Sequence, residues 1–115
     1  MTIEQRTVGT VVVLDLHGKL VLGDGTGMLK DKAQSVMFQG NKQIVLNLGD
    51  VSYMDSAGLG ELIATHTTVT RQGGTIKVAN LTKRVSDLLS IAKVLTVFDN
   101  YDSEAEALAS FPSGA

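Results

Sequence analysis

The sequence predicts an α/β fold with a mainly parallel sheet and an antiparallel edge formed by the first strands. Two observations support this prediction. Short runs rich in β-branched residues alternate with amphipathic segments along most of the 115 residues, as expected when helices connect parallel strands. Hydrophobic residues make up 43% of the chain and aromatic residues only 4%, so we expect one aliphatic core.

The strands are predicted from their β-branched and apolar runs. We expect the second strand to end at Gly18, and the stretch "GDVSYMD" after the third strand to form a loop. The run "VLTVF" is predicted as a short last strand. The predicted strands are Thr2–Val8, Val11–His17, Gln43–Leu48, Thr75–Asn80 and Val94–Phe98.

Four helices are predicted from apolar spacing and capping signals. Thr82 is a candidate N-cap, and Ser103 with Glu106 forms a capping box. The predicted helices start at about residue 26 or 28, 56, 82 and 103, and end at about 39, 71, 92 and 111.

Composition excludes several classes of function. A net charge of −2 with scattered Lys and Arg gives no reason to expect direct binding of nucleic acid. Cysteine is absent, no signal peptide is visible, and no apolar run approaches the roughly 20 residues that span a bilayer. We therefore expect a single cytoplasmic domain over residues 1–115, without insertion into a membrane.

Three possible sites fail on their details. The glycine cluster Gly23–Gly27 is followed by Met28, where a phosphate-binding loop needs Lys or Gly. No acid or histidine spacing fits a metal site, and we expect no cofactor. A hydrolase based on Ser56 needs a nearby base, but His66 lies about 15 Å further along the same predicted helix.

The stretch "MDSAGLG" is the most informative segment. Asp55 or Ser56 can cap the predicted helix, but capping does not explain Gly58 and Gly60 in its first turns, since each glycine costs about 1 kcal/mol relative to alanine. Small residues there allow helix and sheet to pack closely, or a partner's backbone to approach. Phosphorylation of an exposed serine would add roughly −1.5 to −2 charges, which a helix N-terminus tolerates and a docked partner does not.

The segments "IVLNLGDVSYMDSAGLGEL" and "GGTIKVANLTKRVSDLLSIAKVLTVFDNYDSEAEAL" resemble the STAS domain, in particular the stand-alone anti-sigma factor antagonists of bacteria. The resemblance implies a single STAS domain over residues 1–115, with a mixed sheet of four to five strands and about four helices mostly on one side. It also implies a binding protein and not an enzyme.

The resemblance further implies a phosphorylation switch. The unphosphorylated form binds an anti-sigma factor that is also a serine kinase, and so releases a sigma factor; a PP2C-type phosphatase restores that form. Ser56 is the implied phosphoacceptor. The implied partner-binding residues are Asp24, Met54, Asp55, Ala57, Gly58 and Gly60.

The chain departs from the family pattern at one place. Family members commonly have Gly-Glu-Leu-Asp after the second strand, where this chain has Gly18-Lys19-Leu20-Val21, and Asp24 is the acid that could substitute. Two other roles within the same family stay open at this point. These are a regulatory subunit of a transporter, such as a lipid-importing ABC complex, and a stressosome-like scaffold.

Overall fold

A computed structural model describes residues 1–23 and 27–111. Five strands lie in the order β1-β2-β3-β4-β5, with β1 antiparallel to β2 and all other neighbours parallel. This confirms the predicted mixed, mainly parallel sheet with four helices. The elements are β1 (Thr2–Val8), β2 (Val11–Leu20), α1 (Met28–Phe38), β3 (Gln43–Met54), α2 (Ser56–Arg71), β4 (Thr75–Ala79), α3 (Lys83–Ile91), a short 3₁₀ helix (Leu95–Val97), β5 (Asp99–Tyr101) and α4 (Glu104–Ala109).

The main core lies between one face of the sheet and helices α1, α2 and α3. Alternate residues of β2 point into it, as the two-residue period of a strand requires. It is almost entirely aliphatic, as the composition predicted. Among its fully buried side chains are Leu14, Leu16, Leu29, Val36, Ile44, Leu46, Leu62 and Leu89.

Among the described residues, helix α4 covers the opposite face of the sheet. The C-terminal end of α4 is held by Lys77, which is only 8% exposed and donates a 2.8 Å hydrogen bond to Ser110 Oγ. The Lys77 ammonium also lies 4.7 Å from the centre of the Phe111 ring. At the other end of the helix, Arg6 bridges Asp15 and Glu104. One helix is therefore fixed at both ends over this smaller core.

Strands β2 and β3 are longer than the sequence predicted. Gly18 does not end β2: its φ of +107° accommodates an irregularity, and pairing continues to Leu20↔Met54. The predicted loop after Leu48 is likewise part of β3, because Val51 and Met54 bury their side chains while the backbone stays paired with β2. These two extensions carry the chain directly to the start of α2.

The predicted strand Val94–Phe98 was wrong. Leu95–Val97 form a 3₁₀ helix, and Phe98 is buried in the main core. The last strand is instead the polar segment Asp99–Tyr101, which pairs with β4 through its backbone. The two N-caps were predicted correctly, since Thr82 accepts a hydrogen bond from Val85 N and Ser103 accepts one from Glu106 N.

Candidate functional site

The candidate site is the junction between β3 and α2. Asp55 has an extended backbone and caps α2, because its Oδ1 accepts a 2.8 Å hydrogen bond from Gly58 N. Its Oδ2 accepts a 3.1 Å bond from Leu22 N, and its own N–H donates to Leu20 O at 3.3 Å. One aspartate thus joins the end of β2, the turn that follows β2 and the first turn of α2.

These hydrogen bonds favour the ionised form of Asp55. The backbone N–H of Gly58, and after it that of Leu22, hold the pKa of the Asp55 carboxyl below its ordinary value. The partial positive charge at the start of α2 acts in the same direction. The carboxylate is therefore a permanent negative charge at neutral pH, one residue before Ser56.

Ser56 is the first residue of α2 and is exposed. In the described parts of the chain, its hydroxyl makes no hydrogen bond. Since Asp55 already supplies the cap, α2 does not need the Ser56 hydroxyl to begin. The hydroxyl is consequently available to another molecule.

The two glycines of α2 have different surroundings. A Cβ on Gly58 would lie 1.8 Å from Leu20 O, so only glycine lets the helix approach the end of β2 this closely. A Cβ on Gly60 would meet no atom of the described residues within 4 Å. Gly58 therefore serves the packing of helix on sheet, whereas Gly60 lies on an open surface.

The other predicted site residues also differ in how exposed they are. Met54 is buried, with 4% of its surface exposed, whereas Ala57 is half-buried beside Ser56. Asp24 lies outside the described residues. Lys19, which stands where the family pattern has an acid, is exposed and pairs in register with Tyr53.

A shallow groove of about 470 Å³ adjoins this junction, between the end of β3 and α3. Its aromatic wall is Tyr53, over which the Arg84 guanidinium lies at 5.1 Å from the ring centre. At the far end, Ile91 is 80% exposed. The groove next to Met54 therefore combines apolar side chains with the cations of Lys83 and Arg84 and with the carboxylate of Asp87, which pairs with Lys83.

Both histidines have partners away from Ser56. His17 Nδ1 lies 2.8 Å from Asp50 Oδ2, and the hydrogen bond to Asp50 raises the pKa of His17. His66 stacks edge-on against Phe98, with the ring centres 5.2 Å apart. Neither ring is placed to activate Ser56 as a nucleophile.

Glu61 is a residue of this region that the sequence did not indicate. Although it belongs to α2, its carboxylate accepts hydrogen bonds from the backbone at the start of α1, from Gly27 N at 2.9 Å and Leu29 N at 2.8 Å. The one related signal in the sequence was that Gly27 has no side chain to cap α1, so a cap had to come from elsewhere. In the structure, Gly27 has a φ of +85°.

Two classes of feature are absent from the described residues. Over 1–23 and 27–111, no group of three or more His, Cys, Asp or Glu side chains is arranged to hold a metal ion. Within the same ranges, no helix has the length and hydropathy needed to cross a membrane.

Fold and site together define an α/β domain that presents an exposed serine at the start of a helix seated on a mixed sheet. The STAS domain family model matches residues 2–107, which is nearly the whole chain. The protein belongs to the STAS domain family.

Two relatives carry names that describe their function. The chain is 38% identical over 72 residues to the anti-sigma-B factor antagonist of Bacillus subtilis strain 168, over 63% of this chain and 65% of that protein, just under two thirds of its length. It is 25% identical over 108 residues to the anti-sigma F factor antagonist of Paenibacillus polymyxa, covering 94% of this chain and 92% of the relative.

Solved structures have the same fold. An anti-sigma factor antagonist from Mycobacterium paratuberculosis superimposes with a TM-score of 0.82 at 19% identity, over 95% of this chain and 92% of that one. The antagonist SpoIIAA in its unphosphorylated form gives 0.68 at 22% identity, over 94% and 96% of the two chains. SpoIIAA of Bacillus in its phosphorylated form gives 0.71 at 22% identity, over 94% and 97%.

Proposed function

We propose that this protein is an anti-sigma factor antagonist whose binding is switched by phosphorylation of Ser56. In its unphosphorylated form it binds an anti-sigma factor that is also a serine kinase, and thereby releases a sigma factor in the cytoplasm. A PP2C-type phosphatase removes the phosphate. The protein acts as ligand and substrate, and not as an enzyme.

The observation that carries the proposal is the exposed Ser56 hydroxyl at a helix start that is already capped by Asp55. A kinase can phosphorylate this hydroxyl while Asp55 continues to cap α2. The names of the two relatives, and the existence of SpoIIAA in both phosphorylation states, support the same assignment.

The switch works through charge. Phosphate on Ser56 adds roughly −1.5 to −2 charges beside ionised Asp55. The N-terminus of α2 tolerates this charge through its dipole, so the fold is retained. A partner packed over Ser56 meets an added dianion inside the contact, where like charge and lost hydration are both unfavourable.

The predicted partner-binding residues have two roles in this proposal. Ala57 and Gly60 form the surface beside Ser56 on which the kinase docks. Asp24 stays a proposed partner-binding residue that lies outside the described residues. Met54, Asp55 and Gly58 shape the junction from within. Their contribution to binding is indirect, because burial or capping already occupies them.

The direct test is to incubate the protein with ATP and the anti-sigma factor kinase encoded in the same genome, and to map phosphate by mass spectrometry. We expect one phosphate, on Ser56, and none on Ser56→Ala. Ser52→Ala is the matched control, since Ser52 is also exposed at the end of β3. Phosphate on another residue, or none, would contradict the proposal.

A binding measurement completes the test. Ser56→Asp is expected to weaken kinase binding by at least about 10-fold, while the free energy of unfolding stays within about 0.5 kcal/mol of wild type. Tight binding to a permease that Ser56→Asp leaves unchanged would instead favour a transporter subunit.

A further inference from the structure

Strand β1 is one edge of the sheet, and in residues 1–23 and 27–111 no strand pairs with its outer side. The other edge, β5, is only three residues long, which limits pairing with a further strand. By contrast, β1 has seven residues and pairs with β2 without a register shift from Thr2↔His17 to Val8↔Val11. Natural edge strands are often protected by a proline or a bulge, and β1 has neither.

The turn between β1 and β2 determines which backbone groups of β1 point outward. Gly9 and Thr10 form a two-residue hairpin turn, with a φ of +62° at Gly9, so Val8 and Val11 are a hydrogen-bonded pair. Such pairs alternate along an antiparallel ladder with pairs that are not hydrogen-bonded. Every second residue of β1 therefore directs its N–H and C=O groups away from β2, and within the described part of the chain these groups have no hydrogen-bond partner. These residues are Ile3, Gln5 and Thr7.

The sequence of β1 is self-complementary in one antiparallel register. A second copy of β1, related by a two-fold axis at Gln5, places its Arg6 opposite Glu4 of the first copy. The same axis pairs all three outward-facing residues with one another. Moving the axis by one residue places two Glu4 or two Arg6 side chains directly opposite each other, which is unfavourable.

Both charged side chains are accessible at this edge. The Glu4 side chain is 67% exposed and the Arg6 side chain 42%. Asp15 and Glu104 accept four hydrogen bonds from Arg6, so among the described residues one of its five N–H groups is left for a further carboxylate. Because these two acids already neutralise Arg6, we expect the pair with Glu4 to select the register, while backbone hydrogen bonds supply the affinity.

We propose that the protein forms a weak two-fold dimer in which β1 pairs antiparallel with β1 of a second copy, centred on Gln5, so that the two sheets become continuous. The inference goes beyond the proposed function and does not depend on it. One pair of edge strands is a small interface, so we expect a dissociation constant of roughly 10 μM to 1 mM. Ser56 follows β3, which is separated from this edge by β2, so each copy keeps its own serine.

Oxidation of single-cysteine variants maps the register, because the chain has no cysteine of its own. Gln5→Cys places two thiols at the axis, with Cα atoms about 5.5 Å apart, a distance that a disulfide spans. We expect a disulfide-linked dimer that forms at least about 10-fold faster than with Gln39→Cys, a control at the exposed end of α1. Equal rates for the two variants overturn the proposal.

Thr2→Cys and Val8→Cys test the same register away from the axis. The proposed pairing places Thr2 opposite Val8 of the second copy, so an equimolar mixture of the two variants should give a mixed disulfide dimer. Neither variant should cross-link with itself, since equivalent residues lie roughly 20 Å apart, six residues along the strand. Self-cross-linking as fast as in Gln5→Cys overturns this register.

Sedimentation equilibrium tests the dimer without a cross-link. Wild type should show a monomer–dimer equilibrium, and Gln5→Lys should weaken it by at least about 10-fold, because two ammonium groups then meet at the axis. Gln39→Lys is the matched control and should equal wild type, and circular dichroism checks that both variants fold. A wild type that stays monomeric at about 1 mM overturns the proposal, as does a dimer that Gln5→Lys leaves unchanged. None of these outcomes depends on a kinase or on Ser56.

Discussion

Gly58 and Gly60 are two residues apart in one helix, yet they face different surroundings. Gly58 lies against the Leu20 carbonyl with no room for a methyl group, whereas Gly60 has open space around it. The first turns of α2 therefore have an inner side, built into the fold with Asp55, and an outer side, open around Ser56. Identical residues in one motif serve packing in one case and access in the other.

Gly58→Ala is the change with the largest expected effect. Its Cβ would lie 1.8 Å from Leu20 O, and a backbone atom cannot move aside without displacing β2 or α2. We expect a loss of about 3 kcal/mol in the free energy of unfolding, at the upper end for overpacking, and a melting temperature lower by roughly 10 °C. Urea denaturation measures this loss, and wild-type stability would mean that α2 is not seated on Leu20 as described.

Asp55→Ala is expected to have a smaller effect, confined to conditions above acidic pH. The variant loses the cap of α2 and the bond from Leu22 N, so its melting temperature should fall by several degrees at neutral pH. Because the folded pKa of Asp55 lies below the ordinary value of 3.8, its stabilisation is present above that pH and is lost as the pH falls through the folded pKa.

The difference between wild type and Asp55→Ala should therefore shrink in strong acid. Melting curves recorded from neutral pH downwards test this, with Asp87→Ala as the control, since Asp87 lies on the exposed surface of α3 and pairs with Lys83 at 2.9 Å. A difference that stays constant with pH would contradict the assigned role of the carboxylate.

Gly60→Ala is expected to have the smallest effect, and of opposite sign. The new methyl group meets no atom within 4 Å in the part of the chain that the structure describes, and alanine favours the helix, so stability should rise by roughly 0.5–1 kcal/mol. Thermal unfolding of Gly60→Ala beside Gly58→Ala gives the comparison in one experiment. Destabilisation by Gly60→Ala would show that the outer side of the helix is not open.

Local signals in the sequence predicted most of the fold. The bounds of α2, Ser56–Arg71, follow from an acid and a hydroxyl at its start and paired glycines after its end. By contrast, "GDVSYM" contains a glycine and polar residues, and its pairing with β2 depends on a distant segment that also contains a glycine, Gly18. The polar strand β5 was missed because it pairs with β4 through its backbone and has no apolar pattern. The apolar run before it packs into the main core instead of forming a strand.

The site could be predicted only in part. The motif located Ser56 and Asp55, and spacing was enough to discount His66 as a base. The motif could not distinguish the packing role of Gly58 from the open position of Gly60, because that distinction depends on Leu20, a residue about 40 positions earlier in the chain. The contacts of Glu61 with α1 were invisible for the same reason, since they join segments more than 30 residues apart.

The bonds of Asp55 to Leu20 O and Leu22 N have a kinetic consequence. Together with the bond from Gly58 N to Asp55 Oδ1, they fix the backbone on both sides of Ser56 before any partner binds, so association requires little loss of conformational entropy at the serine. For a preformed surface of this kind, the association rate varies little, and affinity is then set mainly by the dissociation rate of the complex. Under the proposed function, phosphate at Ser56 is therefore expected to shorten the lifetime of the complex and to leave the fold unchanged.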